Sequence, residues 1–209
     1  SEHECAVVVG PTFGEYAAAI ELTGAAVVHA HTTSIDDVLA CIENHRPALV
    51  FVCNPNNPTG HLWSAEAIDR IAAAAPLVLD EAYAGFLRPP PPPNWGPGRV
   101  VLRSLTKDHA LAGMRVGYAV APPDDLAVLS AVLPPWGVST AAQNAAIAAL
   151  QSPDEYRVAI DELWSEKERL VLAFRRLGVA VVDGAAPYFL IEVNDASTVA
   201  TRLLKHRIV

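Results

Sequence analysis

Residues 49–60 read LVFVCNPNNPTG, an apolar run of five residues that passes directly into a cluster of polar and turn-forming residues. The apolar part, 49–53, has the composition of a strand that is covered on both faces. The part that follows, 54–60, combines three asparagines, two prolines and a glycine, which favour a tight loop. A buried strand that ends in a polar loop is the unit from which we predict the fold.

The same arrangement occurs twice more along the chain. Residues 76–83 read PLVLDEAY and residues 99–107 read RVVLRSLTK, so that each apolar run again ends in polar side chains. In layered α/β sheets, ligands bind beyond the carboxyl ends of the strands. Because three successive apolar runs end in this way, the sequence predicts one site that the three strand ends share.

Short apolar runs of β type alternate with longer alanine-rich stretches, which is typical of a layered α/β domain. We therefore predict a three-layer α/β fold with a mostly parallel sheet and helices on both faces. The predicted strands are 26–29, 48–53, 77–79, 100–102 and 116–120. The predicted helices are 12–23, 34–44, 64–75, 124–133 and 140–150. Ser64 has the side chain of a good N-cap for the third helix.

The composition changes from about residue 153 onward. Residues 154–177 indicate one long amphipathic helix that is rich in Glu and Arg, and two β-type runs and a further helix follow it at 179–182, 188–193 and 196–206. We predict two domains. Residues 1–152 would form a large ligand-binding domain, and residues 153–209 a bridging helix with part of a small α+β C-terminal domain.

Between the second and third motif lies RPPPPPNWGPG, residues 88–98. Five consecutive prolines cannot continue a helix or enter a central strand, so we predict an extended surface loop that joins two strands. A ligand for a proline-recognising partner is the alternative.

The bulk composition excludes several classes of protein. The formal net charge is −8, and no basic face is visible, so we expect no nucleic-acid partner. No apolar run has the length of a membrane helix and no signal sequence is visible, so we expect no membrane partner and a cytoplasmic location. Cys5, Cys41 and Cys53 form no CxxC pair, so we expect neither a disulfide framework nor a metal site.

Two charged residues at the strand ends suggest chemistry with an aldehyde. Lys107 directly follows a predicted strand, whereas Lys167 and Lys205 lie on charged helical stretches where we expect them to be solvated. A lysine at a strand end can form an imine, although an ordinary surface lysine is the simpler interpretation of Lys107 alone. Asp80 ends an apolar run and we expect it to be mostly buried. It would pair with a cation such as a pyridinium nitrogen, or serve as a turn cap.

The other polar residues of these strand ends suit a phosphorylated ring. Ser104, Thr106 and Arg115 offer two hydroxyls and a guanidinium, a set that suits a phosphate dianion. Asn57 would present an amide to a ring hydroxyl, and Tyr83 would donate a phenolic hydrogen bond. Structural alternatives stay open: a tight loop around Asn57, a half-buried core position for Tyr83 and a surface position for Arg115.

Taken together, NPNNPTG, DEAY and SLTK, followed by ALAGMRVGY at 110–118, resemble the fold-type I pyridoxal-phosphate enzymes of aminotransferase class I/II. The similarity is strongest to histidinol-phosphate aminotransferases and threonine-phosphate decarboxylases. The motifs occur in the family's order, and the resemblance extends through nearly the whole chain. It implies the large domain of that fold and pyridoxal 5′-phosphate as the cofactor.

The resemblance also implies a role for each candidate residue. Lys107 would carry the cofactor as a Schiff base and later move a proton between the substrate Cα and the cofactor C4′. Asp80 would pair with the pyridine nitrogen, and Phe13, in GPTF at 10–13, would stack on the ring. The remaining contacts would be to the 3′ oxygen, by Asn57 and Tyr83, and to the phosphate, by Ser104, Thr106 and Arg115.

For the whole protein, the resemblance implies an aminotransferase. We expect it to take an amino group from an amino acid or amine that is similar to histidinol phosphate and to pass it to a 2-oxo acid through the Lys107 Schiff base. We also expect a homodimer, as family members usually form. Relative to that family, we expect the chain to lack the N-terminal region and the arginine that clamps the substrate carboxylate. Two alternatives stay open: a decarboxylase with the same site, and a truncated, non-catalytic protein of this fold.

Overall fold

The structure is a computed structural model that describes residues 4–208. Its largest element is a six-stranded sheet with the strand order β2-β1-β3-β4-β5-β6. The strands are β1 Cys5–Gly10, β2 Ala26–His31, β3 Leu49–Cys53, β4 Leu77–Asp80, β5 Arg99–Ser104 and β6 Gly117–Val120. The first five strands run parallel, and β6 is antiparallel to β5. The predicted mostly parallel sheet is therefore confirmed.

Helices cover both faces of this sheet, as predicted. The helices within and directly after the sheet are α1 Glu15–Leu22, α2 Ile35–His45, α3 Ala65–Ala74, α4 Pro123–Val132 and α5 Thr140–Leu150. Tyr16 and Ile20 of α1 pack against one face. Val38 of α2 and Ile68 of α3 pack against the other. Helix, sheet and helix form the three layers.

The strand β1 shows why its sequence is apolar throughout. Val7 and Val9 belong to the core that α2 and α3 cover, whereas Ala6 and Val8 belong to the core that α1 covers. Side chains alternate between the two faces of a strand, so a strand covered on both faces needs apolar residues at every position. Strand β1 is not among the predicted strands. The other five agree with the prediction to within two residues at each end.

The predicted helix boundaries differ from the observed ones mainly at α1. The helix begins at Glu15 and not at residue 12, because residues 11–14 leave the sheet edge as a loop before the helix starts. The predicted N-cap of α3 is confirmed. The Oγ of Ser64 accepts a hydrogen bond from the amide of Ala67 at 3.1 Å.

After α5 the chain forms a long helix and a small sheet. These elements are α6 Pro153–Arg176, β7 Val181–Val182, β8 Leu190–Ile191 and α7 Ala196–Lys205. Strands β7 and β8 are antiparallel. The order of the elements matches the prediction, but both strands are shorter than predicted. The division into two domains at residue 152 stays a prediction.

The expected solvation of Lys167 is wrong. Its side chain is only 3% exposed, and its Nζ lies 2.7 Å from the Oδ1 of Asp183. The same ammonium donates to the carbonyls of Gly184 and Ala186, each at 2.7 Å, and lies 4.5 Å from the centre of the Trp164 ring. The turn at residues 183–186 packs on this face of α6 and buries Lys167. The charge pattern within the helix does not predict that another segment packs there.

The stretch 88–98 forms the predicted loop between β4 and β5, and its prolines at 89–92 are exposed. A buried ion pair anchors its inner side: Nε of Arg103 lies 2.8 Å from Oε2 of Glu81. The amide of Asn94 donates to both carboxylate oxygens of Glu81 at 3.3 Å, and Arg103 donates to the carbonyl of Pro91 at 3.0 Å. Recognition of the prolines by a partner stays an untested alternative.

Between residues 4 and 208, no helix combines the length and the apolar character needed to cross a membrane. Within the same range, no group of three or more His, Cys, Asp or Glu side chains is placed to hold a metal ion. None of the three cysteines takes part in a disulfide.

Candidate active site

All eight residues that the sequence predicts for the site line one open cavity of about 270 Å³, which we call the edge cavity. They are Phe13, Asn57, Asp80, Tyr83, Ser104, Thr106, Lys107 and Arg115. The lining is completed by Tyr16, Cys53, Ala82, Leu102 and Arg103. This volume is close to the lower end of the ~300–1,000 Å³ that small-molecule pockets usually have.

The topology of the sheet explains why these residues converge. Parallel strands end at one common edge, so the segments that follow β1, β3 and β5 carry Phe13, Asn57 and Lys107 to the same place. Arg115 precedes β6 and not the end of a parallel strand. Because β6 is antiparallel, its first residue pairs with Ser104 at the carboxyl end of β5. Arg115 therefore reaches the same edge from the opposite direction.

Asp80 is held by two hydrogen bonds at the end of β4. Its Oδ1 accepts from the amide of Ala82 at 2.8 Å, and its Oδ2 accepts from the hydroxyl of Tyr16 at 2.6 Å. The carboxyl group is half-buried, less than the mostly buried position expected from the sequence. Burial, together with the neighbouring Cys53 and Asp80, raises the pKa of Tyr16 far above its usual range. The phenol therefore remains a donor at every physiological pH.

Tyr16 and Cys53 are site residues that the sequence did not indicate. Tyr16 lies on the buried side of α1, stacked on Phe51 with the ring centres 5.4 Å apart. Cys53 is the last residue of β3 and pairs in register with Asp80. Burial, and then the charge of Asp80, raises the pKa of this thiol to about 11. The sequence did contain a signal for Cys53, because this residue directly precedes the first polar motif.

Ser104, Thr106 and Arg115 form the side of the edge cavity that suits an anion. The hydroxyls of Ser104 and Thr106 lie 2.7 Å apart and share a hydrogen bond. The amide of Thr106 donates to Oγ of Ser104 at 3.2 Å, which orders the turn. The guanidinium of Arg115 is exposed and donates to the carbonyl of Ala112 at 3.0 Å. Most of its donors therefore stay available for an anionic ligand.

Lys107 lies in the turn that follows β5, and its carbonyl accepts from the amide of Ala110 at 3.2 Å. Its side chain is exposed and lines the edge cavity. Among residues 4–208 its ammonium has no hydrogen-bond or ion-pair partner. An amine without a fixed partner is free to approach an electrophile in the cavity. Lys107 is therefore an exposed amine in the lining of the edge cavity.

Asn57 and Tyr83 line the cavity from the loops after β3 and β4. Both side chains are half-buried. Burial, with the nearby Cys53 and Asp80, raises the pKa of Tyr83 above its ordinary value, so its hydroxyl is a proton donor. Phe13 is 47% exposed and packs edge-to-face on Tyr16 with the ring centres 5.7 Å apart. Phe13 thus lines the cavity and is still accessible over about half of its surface.

The fold and the edge cavity define a protein of the layered α/β class with a cavity at the carboxyl ends of its parallel strands. The polar groups of the cavity suit a phosphorylated ring compound that carries a carbonyl group. Hydroxyls and a guanidinium match a phosphate, a carboxylate matches a protonated ring nitrogen, and an amine matches an aldehyde.

The chain belongs to the family Aminotransferase class I and II, whose model matches residues 1–209. The predicted family is therefore confirmed.

Curated relatives are named aromatic amino acid aminotransferase. The protein of that name from Mycolicibacterium vanbaalenii is 41% identical over 158 residues, which are 71% of this chain and 45% of the relative. The one from Mycobacterium marinum is 34% identical over 201 residues, 90% of this chain and 55% of the relative. The chain thus spans about half the length of these curated relatives.

The fold also matches a solved structure over its whole length. The histidinol-phosphate aminotransferase from Sinorhizobium meliloti, solved in complex with pyridoxal-5′-phosphate, superposes with a TM-score of 0.89. The identity is 26%, and the match covers 100% of this chain and 62% of that one. The predicted three-layer fold is confirmed by this likeness.

Proposed function

We propose that this chain is the cofactor-binding part of a pyridoxal-phosphate-dependent aminotransferase. One observation carries the proposal: the Lys107 amine, the Asp80 carboxylate and the Ser104–Thr106 hydroxyl pair all face one cavity. Membership of the aminotransferase family supports it. Because two curated relatives are named for aromatic amino acids, we propose an aromatic amino acid as the amino donor and a 2-oxo acid as the acceptor.

The residues of the edge cavity fit pyridoxal 5′-phosphate. When bound, this cofactor supplies an aldehyde that condenses with amines and a ring that accepts electron density from the substrate Cα. Ser104, Thr106 and Arg115 would hold its phosphate, and Asn57 and Tyr83 its 3′ oxygen. Asp80 would hold the ring nitrogen, and Phe13 would cover one face of the ring.

The hydrogen bonds of Asp80 suit this role. Each carboxylate oxygen already accepts one protein donor, from Tyr16 and from the amide of Ala82. A carboxylate has about four lone-pair positions, so it can accept a further hydrogen bond from a protonated ring nitrogen. The two existing bonds fix the direction in which Asp80 presents that acceptor.

Lys107 would have two tasks. Its Nζ would hold the cofactor through the aldehyde group, and once released it would take up and return the proton at the substrate Cα. Both tasks require a mobile amine. Its exposure, and the lack of a partner among residues 4–208, support this assignment.

We further propose that the protein is a cytoplasmic homodimer. Apolar side chains are exposed on and after α4: Val132, Leu133 and Trp136 are 76%, 66% and 95% exposed. Such a surface suits burial against a second copy. All three thiols are free, which fits a reducing compartment.

An absorbance spectrum recorded after addition of pyridoxal phosphate tests the cofactor assignment. The 209-residue chain is compared with Lys107→Ala and with Lys205→Ala, which removes an exposed lysine of α7 as a matched control. We expect wild type and Lys205→Ala to develop the absorbance band of an imine. Borohydride should then attach the cofactor permanently to the peptide that contains Lys107. Lys107→Ala should show neither the band nor the labelled peptide. No band in wild type would contradict the proposal.

Product analysis tests the reaction. With an aromatic amino acid and a 2-oxo acid, we expect the aromatic 2-oxo acid and a new amino acid in equal amounts. Release of carbon dioxide without a new amino acid would indicate the decarboxylase alternative instead.

A further inference from the structure

Tyr188 lies between β7 and β8, and yet its side chain reaches the loops of the large sheet. Its ring packs edge-to-face on Tyr83, with the ring centres 5.0 Å apart and an interplanar angle of 87°. Its hydroxyl donates to the carbonyl of Asn56 at 3.1 Å. One side chain from the C-terminal part therefore contacts the two segments that carry Asn57 and Tyr83.

The contact with Asn56 acts directly on Asn57. The carbonyl of Asn56 belongs to the peptide group that joins these two residues, and it also accepts from the amide of Gly60 at 2.7 Å. Tyr188 and Gly60 together fix the plane of that peptide from two sides. The direction of the Asn57 side chain depends on this plane.

The contact with Tyr83 restricts its ring. Tyr188 packs on the ring from one direction, and Phe86 stacks near it with the centres 6.1 Å apart. Edge-to-face aromatic pairs are stabilised beyond the area that they bury. These two contacts restrict the positions that the Tyr83 ring, and with it the hydroxyl, can take.

Tyr188 is itself held in place by α6. The buried ammonium of Lys167 donates to the carbonyls of Gly184 and Ala186, and the amide of Ala185 donates to the carbonyl of Gly60 at 2.8 Å. Backbones approach so closely here that a Cβ on Gly184 would lie 2.5 Å from the Gly60 carbonyl oxygen. The turn before Tyr188 is thus attached both to α6 and to the loop that carries Asn57.

We propose that Tyr188 is a positioning residue of the edge cavity, which orients Asn57 and Tyr83 toward the 3′ oxygen of the cofactor. The inference rests on the proposed function. Donors to that oxygen would partly neutralise its negative charge, so the oxygen would stabilise the protonated linkage between Lys107 and the cofactor less. The linkage would then lose its proton at a lower pH. If Tyr188 orients both donors, its loss moves this titration to higher pH.

The test compares Tyr188→Phe, which keeps the ring and removes the hydroxyl, with Tyr188→Ala, which removes both. Tyr118→Phe, at an exposed tyrosine of β6, is the matched control. The first readout is the pH titration of the cofactor absorbance. We expect a rise of about half a pKa unit for Tyr188→Phe, since one modest hydrogen bond is lost, and a larger rise for Tyr188→Ala.

The second readout needs no cofactor. In the cofactor-free protein, amide hydrogen exchange at Gly60 should be roughly fivefold faster in Tyr188→Phe. The Gly60 amide donates to the Asn56 carbonyl, and this carbonyl is held less firmly once the Tyr188 hydroxyl is removed. Tyr118→Phe should change neither readout. Circular dichroism of each variant establishes that it is folded.

Each outcome is decisive. An unchanged titration in folded Tyr188→Phe and Tyr188→Ala overturns the inference, and so does a change in KM alone, which would indicate direct contact with substrate. Faster exchange at Gly60 with no cofactor band even in wild type would contradict the proposed function, and the positioning role would fall with it. A raised titration together with faster exchange supports the inference.

Discussion

The turn after β5 and the middle of α6 each carry a lysine, and their surroundings are opposite. Lys107 is exposed and has no partner among residues 4–208, whereas Lys167 is buried and contacts two carbonyls, a carboxylate and an indole ring. From the sequence alone, Lys167 is expected to be solvated, since it lies on a charged helical stretch. A lysine with all its donors engaged organises the fold, and one with none engaged is available for chemistry.

This contrast predicts that replacing the two lysines has very unequal effects on stability. Lys167→Met should lower the free energy of unfolding by about 3 kcal/mol, because two carbonyls and the partly exposed Asp183 lose their donor. Lys107→Met should change it by less than about 0.5 kcal/mol, as exposed substitutions usually do. Urea unfolding of the cofactor-free protein, followed by tryptophan fluorescence, measures both. Equal losses in the two variants would refute the contrast.

A second, smaller effect tests how firmly the cavity itself is built. Tyr16→Phe removes the 2.6 Å hydrogen bond to Asp80. We expect a loss of about 1.5 kcal/mol, at the low end for a bond to a charged group, because Asp80 faces an open cavity. Tyr118→Phe is again the control, and the urea midpoint is the measurement. A Tyr16→Phe midpoint equal to that of wild type would mean that solvent replaces the phenol without cost.

A third effect separates the two regions by pH. The pKa of Cys53 is raised from 9.0 to about 11, so the folded protein disfavours the thiolate. The contribution of this thiol to the free energy of unfolding is therefore fully present below pH 9 and is lost as the pH rises to 11. Between pH 8 and pH 10 we expect a loss of about 1 kcal/mol that Cys53→Ala lacks. Unfolding midpoints at both pH values measure it, with Cys5→Ala as control. A wild-type slope that persists in Cys53→Ala would assign the effect to other groups.

The region around Lys167 should weaken at the other end of the pH scale. Burial alone would raise the pKa of Asp183, but the hydrogen bonds from Lys167 and the amide of Gly184 leave it below its ordinary value. A lowered pKa means that this contribution is present near neutral pH and lost as the pH falls through that value. Raising the pH therefore destabilises the edge cavity at Cys53, whereas lowering the pH destabilises the contact between α6 and the turn at Asp183.

The sequence was sufficient for the sheet edge because the information there is local. Each motif joins a buried strand to the polar residues directly after it, so the positions of Asp80 and Lys107 follow from parallel topology. Strand β1 has the same apolar composition, but it ends at Gly10 with Pro11 after it, and not in the charged and amide side chains that mark the ends of the three motif strands. Its membership of the sheet follows only from pairing with β2 and β3.

The residues that the sequence did not reveal depend on contacts between distant segments. Tyr16 becomes a site residue only when α1 packs against the sheet and its hydroxyl reaches Asp80, 64 residues further along the chain. Tyr188 contacts Asn56 across 132 residues. Neither contact has a signature in local spacing, and an ordinary core tyrosine explains each side chain equally well. The burial of Lys167 has the same origin.

The antiparallel β6 has a consequence for how the cavity forms during folding. The pairing of Ser104 with Gly117 closes a short loop between β5 and β6. This stretch contains four residues of the cavity: Ser104, Thr106, Lys107 and Arg115. Closing a short loop costs little chain entropy, whereas the parallel strands that carry the other cavity residues need long crossovers before they pair. Contacts that are close in sequence form fastest. The anion-binding side of the cavity would therefore assemble first, as a local hairpin on which the more distant strands then dock.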